Sequence, residues 1–204
     1  RLIPAIEGMI AARPVAVMAD TFAPEVARRA LDAGAVAIND TGGARDPAML
    51  ELAAESGCGL VLMHTGGPPR RDRPPPRHDD AVEHLREWFA GRLEDARARG
   101  VVTEQVVLDP GFDFDLSVDD DLEVLSRLDE LNELGRPLFV ALSRKDFLGA
   151  VLAGSWEGRV PARDREWATA GAVTLAVTAG AALLRLHDRS AVDAMRVAHR
   201  IANG

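Results

Sequence analysis

Residues 106–125 read VVLDPGFDFDLSVDDDLEVL. An apolar run stops at Asp109-Pro110-Gly111, a turn signal. A loop with two Phe and two Asp follows, and a helical pattern starts at Val118. A buried run that ends in a carboxylate is costly unless the carboxylate has a task. The same ending recurs in VAVMAD (15–20), AVAIND (35–40), GLVLMH (59–64), PLFVALSRK (137–145) and ALLRLHD (182–188).

These runs are apolar nearly throughout rather than alternating, the signature of strands covered on both faces. Six parallel strands are expected: Val15–Asp20, Ala35–Asp40, Gly59–His64, Gln105–Asp109, Pro137–Ser143 and Ala182–His187. Helical patterns alternate with them. Pro24 opens one that Gly34 stops, and Asp46-Pro47 opens another that closes near Gly57. Others cover about Asp79–Arg99, Val118–Leu134, Lys145–Ala153, Arg165–Ala179 and Ser190–Ala202, and residues 1–14 read as a short amphipathic helix. Strict alternation of strand and helix gives parallel pairing with right-handed crossovers. No G-x-G-x-x-G follows a strand, and all six strands end in polar residues. An open doubly wound sheet needs such residues only at its switch point, whereas a barrel gathers every strand end at one mouth. The expected architecture is a (β/α)₈ barrel with about six of its eight βα units, one domain over residues 1–204.

Composition narrows the partners. A net charge of −8 argues against nucleic acid and anionic membrane surfaces. The single Cys58 excludes an internal disulfide and a multi-Cys zinc site, and reads as a small core residue in a reducing cytoplasm. The longest apolar tract, 168–184, divides into a helix and a strand rather than a membrane span. Trp88, Trp156 and Trp167 read as packing residues, and the stretch 66–77 (GGPPRRDRPPPR) as a loop.

Around one mouth the strand ends would gather Asp20, Asn39, Asp40, Asp109, Ser143, Lys145, Arg185, His187 and His64. Carboxylates and Asn match the N–H donors of a flat heterocycle, while Lys, Arg and His attract an anion. Plainer readings stay open for each. Asp20 and Asp40 also fit helix N-caps, Asp109 a turn, Lys145 a solvated helix start, and His64 a structural histidine. Arg185 and His187 also fit surface pairs with Asp188.

Taken together, AVAINDTGG, LVLMHTGGPP, VVLDPGFDF, VALSRKDFLG and LLRLHD resemble, in order and spacing, the signature segments of dihydropteroate synthases, and VMADTFAPEV resembles that family's third-strand segment. The resemblance implies a pterin-binding barrel that joins p-aminobenzoate to 6-hydroxymethyl-7,8-dihydropterin pyrophosphate, in folate biosynthesis. Position by position it implies Asp20, Asn39 and Asp109 on the pterin edge, with Met63 beside them. Lys145 would bridge the pterin and aminobenzoate ends, with Ser143 near the aminobenzoate carboxylate and Phe112 or Phe114 against its ring. Arg185 and His187 would hold the pyrophosphate.

The resemblance also implies two strands ahead of residue 1, so the chain reads as an N-terminally incomplete piece of a longer protein. Those strands would carry the Asn associated with Mg²⁺, which would bind through the pyrophosphate. A cytoplasmic homodimer is expected. Two local stretches depart from the family pattern, FDFDLS at 112–117 and MHTGGPP at 63–69, and the Thr and Gly after His64 are similar to an actinobacterial branch of paralogues. A non-catalytic pterin-binding paralogue is therefore the alternative, and a methyltetrahydrofolate-binding methyltransferase a more distant one.

Overall fold

A computed structural model of the chain describes residues 1–66 and 77–203; most of the stretch expected as a Pro/Arg-rich loop lies outside the described residues. Helix α1 (Leu2–Ala12) leads into β1 (Met18–Asp20) and α2 (Pro24–Asp32). Next come β2 (Ala37–Asp40), α3 (Pro47–Ser56), β3 (Gly59–Met63), α4 (Ala81–Ala98), β4 (Val106–Asp109) and α5 (Val118–Ser126). The chain then runs through β5 (Phe139–Val140), α6 (Asp146–Ala153), α7 (Glu166–Thr178), β6 (Leu183–Leu184) and α8 (Arg189–Asn203).

Side-chain caps open three of these helices, the first of them expected from the Asp46-Pro47 pair. Asp46 accepts from Ala48 N at the head of α3, Asp80 from Glu83 N at the head of α4, and Ser117 and Asp120 form a reciprocal capping box on α5. One expectation fails. The single helix foreseen over Val118–Leu134 breaks at Arg127, and a 3₁₀ run over Leu128–Leu134 follows. Leu128, Leu131 and Leu134 recur every three residues, so a three-residue turn stacks them on the core where a 3.6-residue turn would fan them apart.

All strand pairs are parallel. The order is β1-β2-β3-β4 in one ladder and β5-β6 in another, joined by a bridge between Leu108 and Leu138. The strands therefore stand in chain order around one curved wall, as in a (β/α)₈ barrel holding six of its eight strands. Every ladder is shorter than the apolar run that predicts it, and the polar tips beyond β5 and β6 lie past the last paired residue.

Two separate apolar layers follow from the period-2 alternation of strand side chains. Ala19, Ile38, Leu60, Leu62, Leu108, Val140 and Leu142 point outward and pack under the helices. Val61, Phe139 and Ala141, with Val107 against them, form a second cluster on the inner face. That inner cluster is the floor on which the candidate site stands. Cys58 is buried and free, as expected. Trp88 packs against His64 and Phe89, and Trp156 lies under Arg159. Trp167 corrects the expectation of packing, since it is 82% exposed on the first turn of α7. No helix among the described residues is long and apolar enough to cross a membrane.

Candidate functional site

Strand register decides which polar tips share the inner face. Asp20 is paired with Asn39, Asn39 with Val61, and Met63 with Asp109. Residues in register on parallel strands point the same way, so Asp20, Asn39, Met63 and Asp109 rise from the wall that carries Val61 and Val107. Asp40 and His64 are one residue out of phase and face the helices. Asp40 is buried and accepts from Gly42 N at 2.7 Å and Ala44 N at 3.0 Å. It builds the loop after β2, so neither the site nor the N-cap expected for it applies. His64 is fully buried, its Nε2 3.1 Å from His84 Nε2, with Trp88 edge-on. Burial drives its pKa down to about 3, which fits the structural-histidine alternative. His84 in turn stacks on His78, whose N–H and ring face Asp120.

On the inner face, Asn39 Nδ2 donates to Asp20 Oδ2 at 3.0 Å, and Arg185 Nη1 donates to the same oxygen at 2.7 Å. Asn39 is 2% exposed, and its Oδ1 has no hydrogen-bond partner among the described residues. A buried acceptor left empty costs about 1–3 kcal/mol, and this atom is open to a donor from outside the described residues. Asp109 is 3% exposed and accepts from Gly111 N at 2.9 Å. Burial raises its carboxyl to about 6, against the pull of the Gly111 N–H, Lys145 and Arg185. The turn must be tight to do this. Gly111 has φ 73, and a Cβ there would lie 2.1 Å from the His64 carbonyl.

Lys145 stands directly before α6. Its Nζ donates to the Phe112 carbonyl at 2.6 Å and lies 4.6 Å over the Phe114 ring. The two Phe separate here. Phe114 borders the ammonium, while the Phe112 ring is 1% exposed and stacked on Phe147 within the core. Phe112 thus offers its carbonyl to the site rather than its ring, because its side chain falls on the apolar side of the loop. Ser143 Oγ accepts from His187 N at 3.3 Å, tying the tips after β5 and β6 together.

The sequence reading overlooked three groups. Arg144, in the left-handed region at φ 59, is ion-paired with Asp188. Among the described residues no ion pair joins Asp188 to Arg185, which pairs with Asp20 instead. Arg165 is 4% exposed and reaches Arg144 O at 2.8 Å, Asp146 Oδ1 at 2.7 Å and Val160 O at 2.6 Å, supporting the Ser-Arg-Lys turn from beneath. Asp113, one of the two Asp in the loop after β4, accepts from two amides of α6. No local pattern flags Arg165, since its partners come from other segments. The acid–phenylalanine alternation in FDFD was a visible signal for Asp113.

The arrangement brings apolar side chains of the inner face, hydrogen-bond acceptors at the strand ends and the Lys145 and Arg185 cations to one end of the wall. It suits a flat heterocycle with N–H donors whose other end is anionic.

Comparison with known proteins points the same way. The family described as pterin binding enzyme matches residues 1–187. A dihydropteroate synthase of Synechocystis sp. is 34% identical over 204 residues, covering 100% of this chain and 68% of that protein. An inactive dihydropteroate synthase 2 of Mycobacterium leprae is 37% identical over 209 residues, covering 100% of this chain and 69% of that protein. Among solved structures, a dihydropteroate synthase from Xanthomonas albilineans in complex with 7,8-dihydropteroate superposes with a TM-score of 0.88 at 35% identity, covering 100% of this chain and 73% of that one.

Proposed function

The chain belongs to the family of pterin-binding enzymes, and on that premise we propose that it is a transferase of the dihydropteroate synthase type. It would condense p-aminobenzoate with 6-hydroxymethyl-7,8-dihydropterin pyrophosphate. One observation carries this reading: Asp109, a buried carboxylate held by the Gly111 N–H and flanked by Lys145 and Arg185, shares the inner face of the wall with Asn39, whose Oδ1 has no partner among the described residues.

The chemistry asks for positioning and charge stabilisation rather than a protein nucleophile. The arylamine nitrogen forms a bond to the pterin methylene as the methylene C–O bond breaks. The electron pair leaves with pyrophosphate, and the amine gives up a proton. Asp20, Asn39 and Asp109 would hold the ring by its N–H edge, and Met63 would contact its face. Arg185 and His187 would meet the charge growing on the pyrophosphate. Lys145 would bridge the two substrates, with Phe114 along the aminobenzoate ring and Ser143 toward its carboxylate.

Among the described residues no three His, Cys, Asp or Glu side chains come together as a cation site, so these residues alone supply no cage for a magnesium ion. Dependence of turnover on added Mg²⁺ tests its expected place on the pyrophosphate. Homodimerisation is part of the same reading. It is supported by apolar side chains left exposed on α7 (Leu175) and α8 (Val197, Ile201), and light scattering tests it. A cytoplasmic location, which the lone reduced Cys58 suits, is tested by cell fractionation.

The second reading, a pterin-binding protein without synthase activity, is favoured by the acidic loop Asp113–Asp115 and by the likeness to the inactive M. leprae protein. Incubation of the purified protein with both substrates and Mg²⁺ separates the two. Dihydropteroate above a heat-killed control supports the synthase. Bound pterin without product supports the second reading, and absence of pterin binding removes both.

A further inference from the structure

The backbone of Asp113 is in the left-handed region, at φ 69. A non-glycine residue stays there only when its surroundings over-determine it, and Asp tolerates it better than most. The Asp113 N–H faces the buried Asp121 carboxylate, 3.3 Å from both oxygens. The Asp113 carboxylate accepts from Asp146 N at 2.5 Å and Phe147 N at 2.9 Å. Those two amides are the first open donors of α6.

A helix cap ordinarily comes from the residue just before the helix, here position 145. Lysine has no acceptor to offer, and Lys145 makes no cap. The cap arrives instead from Asp113, 33 positions before Asp146. The same short loop also receives the Lys145 ammonium on the Phe112 carbonyl and places the Phe114 ring beneath it. The Phe112–Phe147 stack, with centroids 5.8 Å apart, adds an apolar tie between loop and helix.

The geometry points to Asp113 as a positioning residue for Lys145: by capping α6 from the loop after β4, it frees position 145 to carry an ammonium and locks that ammonium to the loop bearing Phe112 and Phe114. The inference rests on the reading of Lys145 as a group that contacts both substrates. Burial pushes the Asp113 carboxyl up, and Lys145 is the largest influence drawing it back down, so the two charges hold each other as well as the backbone.

Lys145 is the only lysine in these 204 residues. Amine-directed acylation followed by peptide mass spectrometry therefore reads its ammonium directly, with the chain's α-amino group as internal reference. Asp113→Ala is expected to speed acylation of Lys145 roughly fivefold relative to that reference, the scale of one lost helix cap. Asp113→Gly, which relieves the backbone and so protects folding, should do the same. Asp113→Asn keeps an acceptor and the left-handed turn and should stay within about twofold of the wild type. In turnover, Ala and Gly should raise the p-aminobenzoate KM roughly tenfold, with pterin affinity within about threefold, because Asp20 and Asn39 belong to other strands and Asp109 keeps the Gly111 N–H that orients it. Wild-type acylation ratios in both Ala and Gly variants would overturn the proposal. So would equal losses in pterin affinity and aminobenzoate KM that simply follow a fall in Tm. A wild-type protein without turnover would sink the synthase reading alone, since the acylation ratio still decides the role of Asp113.

Discussion

Arg185, just past the last strand, and Asp20, at the end of the first, meet at 2.7 Å although 165 positions separate them. The first and last strands have no ladder between them among the described residues. At the mouth this ion pair joins the two ends of the wall. The Asp20 oxygen involved also takes the Asn39 amide, so the rim cation, the first carboxylate and the buried amide form one chain of contacts.

Arg185→Ala tests that chain. Both side chains are substantially exposed, so the ion pair itself should contribute only about 0–1 kcal/mol to stability, and the urea midpoint should barely move. Affinity for a pterin pyrophosphate should fall far more than affinity for the pterin alcohol. If the cation stabilises the departing pyrophosphate, kcat should drop on the order of 100-fold. Equal losses for the two pterins would reject this division of labour.

Asp109→Asn removes a charged acceptor from the pocket wall and should weaken pterin binding by roughly 1.5–3 kcal/mol. The pH dependence carries a sign. With its carboxyl near 6, Asp109 is ionised above that value, and the ionised form accepts best from ring N–H donors. Wild-type pterin affinity should therefore rise as pH increases through about 6 and then level, whereas Asp109→Asn should lack that step. Titration calorimetry across pH checks both.

Gly111→Ala would place a methyl 2.1 Å from the His64 carbonyl on a backbone at φ 73. Neither atom is a flexible side-chain end, so the turn must shift. A loss of about 1–3 kcal/mol in urea unfolding is expected, together with weaker pterin binding, because the displaced N–H no longer orients Asp109. Unchanged stability and binding would show that the turn is softer than its geometry implies.

His64 sets an acid limit. Burial holds its folded pKa near 3, against 6.5 for the ordinary group. Between those values the unfolded chain binds the extra proton, so stability rises with pH across the window and is lost as pH falls, by up to about 1.4 kcal/mol per unit. Asp109 works in the opposite sense. Its raised carboxyl favours the fold at low pH, and that contribution disappears as pH climbs through about 6. The difference between the wild type and His64→Phe isolates the histidine and should slope with pH between 3 and 6.5. A flat difference would remove His64 as the cause.

Much of this was legible in the chain of letters. Six apolar runs, each ending in a polar residue, announced parallel strands sharing one mouth, because strands covered on both faces leave hydrophilic groups only at their tips. The starts at Pro24 and Asp46-Pro47 and the stops at Gly34 and Gly57 marked the helices that space the first strands. Asp20, Asn39, Asp109, Lys145 and Arg185 were named by the same logic. What the letters could not separate was phase. Asp40 follows Asn39 directly, and His64 follows Met63, yet one residue along a strand turns a side chain from the pocket to the helices. Register with neighbouring strands fixes that phase, and register is a property of the assembled wall. The same holds for Phe112 against Phe114, for Arg165 beneath the Ser-Arg-Lys turn, and for Asp113 capping a helix that begins 33 positions later. Each depends on contacts between segments distant in sequence, which a local pattern of charge and hydrophobicity does not encode and only the closed packing of strands and helices brings about.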